Sequence, residues 1–110
     1  MNIAFWDNQL GERGTTTSLF DYAYYNEKIL GNKSYIFYNK NSKNNNDLVR
    51  EKFNKHFLVF GLEKFYQVDE ILESLEITHI YIIKYGKNDN QISKVAKNII
   101  HCVFDCSEPH

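Results

Sequence analysis

Thr78-His79-Ile80-Tyr81-Ile82-Ile83 is apolar on both faces when drawn as an extended chain. Such a segment is stable only when other layers cover both of its sides, which is the situation of a central strand in a parallel sheet. Four more short runs read as strands: Asn2–Trp6, Ser34–Tyr38, Phe57–Phe60 and Asn98–Phe104. Their length, β-branched and aromatic content and flanking turn residues set them apart from buried helices. Between these runs apolar residues recur at helical spacing. Leu19, Phe20, Ala23 and Leu30 mark a helix over residues 15–30 that Gly31-Asn32 stops. Asp47 is placed to cap a second helix running to about His56. Val68, Ile71, Leu72 and Leu75 stripe a third that opens near Asp69-Glu70, and Ile92, Val95 and Ala96 mark a short fourth over Gln91–Lys97. Strand and helix alternate throughout, so the expected class is α/β: an open, mostly parallel five-stranded Rossmann-like sheet with helices on both faces. The strand orders 3-2-1-4-5 and 2-1-3-4-5 both satisfy the pattern.

The chain has 110 residues, of which 43% are hydrophobic, enough for one core and one domain spanning residues 1–110. Thirteen Lys and Arg stand against 14 Asp and Glu, a balance without the excess of cations that nucleic acid or an anionic membrane demands. No run approaches the roughly 18 apolar residues of a membrane span, and the apolar start reaches Asp7 too soon for a secretory leader, so a cytoplasmic protein is expected. Cys102 and Cys106, four residues apart, fit a reducing compartment better than a disulfide framework. His101, Cys102, Cys106 and His110 have ligand chemistry for zinc, but neighbours on a strand project to opposite faces, and no metal is expected. The Asn-rich tract Asn39–Asn46 reads as a solvated linker.

In open parallel sheets a ligand lies beyond the carboxyl ends of the strands, where the strand order reverses. Two loops reach that place. In the first, Gly11 and Gly14 let the backbone turn sharply, Thr15, Thr16, Thr17 and Ser18 leave the positive helix end without a carboxylate, and Arg13 offers a bidentate grip on phosphate. Glu12 opposes this unless it points away, and the plainer reading is that Thr15 caps the helix while the glycines serve packing. The loop matches neither GxGxxG nor the Walker A pattern, and Asp7 alone does not make the acidic cluster of a response regulator. The second loop, Lys84–Asn90, brings Lys84, Lys87, Asn88 and Asn90 towards the first or forms an ordinary solvated turn. The candidate phosphate or substrate ligands are therefore Gly11, Arg13, Gly14, Thr15, Thr16, Lys84 and Asn88. His79 and His56 read as structural, and packing accounts for most of the Tyr22, Tyr24 and Tyr25 cluster.

The opening Ile3-Ala4-Phe5-Trp6-Asp7-Asn8-Gln9-Leu10-Gly11-Glu12-Arg13-Gly14-Thr15, the Leu19–Asn26 helix and the stretch from Cys102-Val103-Phe104 to Glu108-Pro109-His110 together resemble the N-terminal Rossmann-like domain of GT-B glycosyltransferases of the group 1, family 4-like kind. The resemblance implies that the loop after the first strand lines a cleft between two domains, with Gly11, Arg13, Gly14 and Thr15 near the donor phosphate and His110 as a catalytic residue. It also implies transfer of a sugar from a nucleotide-sugar donor to a hydroxyl acceptor, with no cofactor. Most donor contacts in that family belong to a C-terminal domain that these residues do not contain, so the chain reads as an N-terminal fragment that is inactive alone. The competing expectation is a non-catalytic α/β module that binds a phosphorylated small molecule or a partner domain.

Overall fold

A computed structural model describes residues 1–7, 10–11, 14–43, 45–84 and 92–102, with backbone alone for 14, 15, 84, 101 and 102. The central strand β1 (Asn2–Asp7) pairs on one side with β2 (Lys33–Asn39) and on the other with β4 (His79–Lys84). Beyond these lie β3 (Leu58–Leu62) and β5 (Lys97–Cys102), so the order is β3-β2-β1-β4-β5 and every neighbouring pair is parallel. Of the two orders open from sequence, this is the one that reverses between β1 and β4. The helices are α1 (Gly14–Lys28), α2 (Asp47–His56) and α3 (Val68–Ser74), the last entered through a 3-10 turn at Phe65–Gln67. The fold is an open α/β Rossmann-like sheet. No helix among the described residues is long and apolar enough to cross a membrane.

Successive residues of β1 feed two different apolar layers, as the two-residue period of a strand requires. Phe5 joins Ile36, Leu19, Phe20, Phe53 and Ile83 under α1 and α2, while Ala4 and Trp6 join Phe37, Ile80, Ile82 and Leu72 under α3. The helices thus cover both faces, because right-handed crossovers to the left and right of β1 lie on opposite sides. Aromatic edges set the contacts: Trp6 meets Phe65 edge-on at 5.0 Å, and Phe20 meets Phe53 edge-on at 5.1 Å.

Three local expectations are corrected. Leu30 is not on the buried face of α1; the helix ends at Lys28, Gly31 takes a left-handed φ of 71°, and Leu30 is exposed on the intervening turn. The second helix is capped by Asn46 rather than Asp47, since the Asn46 side chain accepts from the amides of Leu48 and Val49, at 2.9 and 3.1 Å. Asp47 instead pairs with Arg50 at 2.9 Å.

Residues 92–96 do not form the expected helix. Ser93 Oγ accepts from the amides of Val95 and Ala96 and donates to Asp69 Oδ1 at 2.6 Å, while Asn98 bonds Ser93 at both its amide and its carbonyl. Serine and asparagine side chains here replace the helical backbone ladder, a known competition. Gln91, Val103 and Phe104 lie outside the described residues.

Candidate functional site

The carboxyl end of β1 is Asp7, a buried residue beneath the first turn of α1. Thr16, also buried, brings its hydroxyl to 3.4 Å from Asp7 Oδ2. A carboxylate under a helix amino end is favoured by the helix dipole. The expectation that the positive end of this helix lacks a carboxylate is thereby corrected: none lies in its first turn, but β1 supplies Asp7 beneath it.

Leu10 and Gly11, both buried, carry the chain across the sheet end. Their path is fixed by the Asn-rich tract. The Leu10 amide donates to Asn45 Oδ1 at 2.9 Å, and the Leu10 carbonyl accepts from the Asn46 amide at 2.8 Å. Asn45 Nδ2 in turn donates to the Asn39 carbonyl at 2.9 Å. The tract is therefore a brace for the glycine loop, not a bare linker. Its polar composition hid this, because an asparagine that braces another loop has the same letter as one facing water.

Between α1 and α2 lies a cavity of about 250 Å³. Gly11, Thr16, Thr17 and Lys52 supply its polar lining, and Phe20, Val49 and Phe53 its apolar one. Lys52 Nζ stands 4.2 Å from the Phe20 ring centroid, a cation held over an aromatic face at the cavity wall. Two residues earlier on α2, and so on a different face of the helix, the Arg50 guanidinium is held above its ordinary pKa range by its hydrogen bond with Tyr38 and by the charges of Tyr38 and Asp47. Tyr38 is the penultimate residue of β2, so Arg50 stands near the carboxyl end of that strand, while Lys52 lines the cavity beside Gly11. Sequence reading missed Lys52 and Arg50; the signal was a pair of cations on the helix that follows a neighbouring strand.

Of the residues singled out in the sequence, Gly11, Gly14, Thr15 and Thr16 come together at the start of α1. Lys84 ends β4, and continuing the register Trp6↔Ile82 places its backbone one step past the level of Asp7, on the adjacent strand. Arg13, Asn88 and His110 lie outside the described residues. His79 starts β4, with Nδ1 at 2.8 Å from the Thr78 hydroxyl, and His56 ends α2 against Phe20 and Tyr24; both stand away from the strand ends that carry the cavity.

The arrangement offers main-chain donors, two threonines, an ammonium and an apolar wall to a small ligand that carries hydroxyl or anionic groups. Comparison with protein-family models, curated proteins and solved structures gives no match.

Proposed function

We propose that the chain is the acceptor-side, N-terminal domain of a GT-B glycosyltransferase that moves a sugar from a nucleotide-sugar donor to a hydroxyl acceptor in the cytoplasm. The observation that carries this reading is the reversal of strand order between β1 and β4 beside the Gly11 loop. In open α/β sheets that crevice is where ligands bind. The sequence resemblance assigns the same loop to the cleft of a two-domain enzyme.

On this reading Gly11, Gly14 and the amides at the α1 start approach the reacting groups, with Thr15, Thr16, Arg13, Lys84 and Asn88 as polar partners. His110 is the assigned catalytic residue. The domain's contribution to rate is to hold the acceptor hydroxyl in line and to stabilise the departing diphosphate electrostatically. The domain alone holds only half of that machinery and is expected not to turn over a nucleotide sugar.

A second reading, a module that binds a phosphorylated small molecule without catalysis, is favoured by one observation. Lys52 brings an ammonium group to the wall of the cavity beside Thr16 and Thr17, a lining suited to an anionic group. Saturation-transfer NMR on the full chain separates the two. Mono- and disaccharides that contact the Gly11–Thr17 segment support the acceptor domain. Binding of sugar phosphates with no response to the neutral sugars supports the module, and silence from both classes removes both readings.

A further inference from the structure

A balanced total charge does not fix where the charges sit. Lys28 lies in the last turn of α1, Lys33 opens β2 and Lys55 lies in the last turn of α2. All three belong to the end of the sheet where β1, β2 and β3 begin, opposite the cavity, with Lys33 and Lys55 lining one depression and Lys28 next in the chain to its Glu27. That depression, of about 270 Å³ and lined by Glu27, Lys33, Lys55 and Leu58, joins these elements there. None of the three lysines makes an ion pair with a described residue; the pairs found lie elsewhere, at Lys40–Glu63 and Arg50–Asp47. Glu27 is engaged by the Ser34 amide at 2.8 Å. Lys28 and Lys33 each stand 5.8 Å from a tyrosine ring centroid, of Tyr24 and Tyr35.

The same end exposes large apolar side chains that packing within the chain leaves unused. Ile29 and Leu30 are each 69% exposed on the turn that Gly31 closes, and Tyr25, one turn back on α1, is 61% exposed. Scattered exposed leucines mean little, but contiguous apolar residues rimmed by cations mark an interaction surface. Two adjacent aliphatics on a turn are prongs rather than the walls of a groove. They suit a soft apolar layer more than a shaped protein surface.

We infer that this end of the domain docks on an anionic lipid bilayer, with Ile29 and Leu30 entering the headgroup boundary, Tyr25 at the interface and Lys28, Lys33 and Lys55 facing acidic headgroups. Lysine stems lie along apolar surface while their ammonium groups stay in the polar layer, and tyrosine is favoured at that depth. The candidate cavity then faces away from the membrane. The inference stands independently of the proposed enzymatic role.

Vesicle flotation of the full chain tests it. The protein is expected to float with phosphatidylcholine vesicles containing about 30% phosphatidylserine at low salt, and not with phosphatidylcholine alone. Each of Lys28→Gln, Lys33→Gln and Lys55→Gln should weaken binding about fivefold, the ratio for roughly 1 kcal/mol per cation. The double change Ile29→Ser, Leu30→Ser should abolish flotation with an unchanged circular-dichroism melt, since both side chains are already in water. Lys40→Gln, at the other end of the sheet, should bind as the wild type does. Absence of flotation with acidic vesicles overturns the inference, as does binding that survives both the lysine and the aliphatic changes. Capture by an acidic tyrosine-containing peptide, without flotation, would assign the patch to a protein partner instead.

Discussion

The Leu10 amide, buried in the first crossover, donates to Asn45 Oδ1, 35 residues later in the chain, at 2.9 Å. This bond and its companion from the Asn46 amide to the Leu10 carbonyl tie the loop that follows β1 to the start of α2. The Gly11 segment is thereby positioned before any ligand arrives, which lowers the ordering cost of binding.

Asn45→Ala is expected to leave the Leu10 amide without its partner. A buried unsatisfied donor costs about 1–3 kcal/mol, and the loss should appear as a lower urea midpoint at unchanged slope. Hydrogen exchange at Leu10 and Gly11 should accelerate more than at β4. Exchange that rises equally everywhere would show a global effect and no local brace.

Gly61 sits opposite Tyr38 in the β2–β3 pair. A Cβ there would lie 3.0 Å from the Tyr38 hydroxyl and 3.1 Å from Lys40 Cβ. Gly61→Ala should therefore displace the Tyr38 ring, destabilising the fold by about 1–3 kcal/mol. In a Tyr38→Phe background the same substitution should cost less, because the phenol oxygen nearest the new Cβ is gone. A Gly61→Ala protein as stable as the wild type would show that the strand edge relaxes freely.

Burial, and to a lesser degree the neighbouring Tyr22, pushes the Tyr81 phenol up to about 12. Its folded pKa exceeds the unfolded value of about 10, so the native state holds this proton more tightly. The associated stability is complete below pH of about 10 and is lost as pH rises from there through about 12. In an ultraviolet titration Tyr81 should ionise late, and Tyr81→Phe should remove its contribution to the alkaline end of the curve. The Phe protein should also lose less stability over the same alkaline range.

The strands were legible because their apolar character is local: Ile80, Ile82 and Ile83 are buried on two faces, as the unbroken run around them implied. The class α/β followed from alternation alone. Strand order was not legible, since it depends on which face each crossover takes, a choice made by contacts such as Phe65 on Trp6. Polar residues with distant partners were the main source of error. Ser93 bonds Asp69 across 24 residues and turns a helical pattern into a turn, and Asn45 braces Leu10 from within a tract that looks like linker. Net charge likewise concealed the cluster of Lys28, Lys33 and Lys55. In the candidate site Gly11 and Thr16 were legible from turn and helix-start chemistry, while Lys52 enters only through the packing of α2 on α1.

The central claim is that the crevice at the start of α1 receives the ligand. An amide shift titration of the full chain with a nucleoside diphosphate and with inorganic phosphate tests it most directly. The account predicts shifts at Gly11, Gly14, Thr16, Thr17 and Lys52. Arg13→Ala and Lys52→Ala should each weaken binding about ten- to a hundredfold, the loss of a charge-assisted hydrogen bond of roughly 1.5–3 kcal/mol, with the fold intact. Shifts confined to the opposite end of the sheet around Lys33 and Lys55, or titrations of both variants that match the wild type, would contradict the claim.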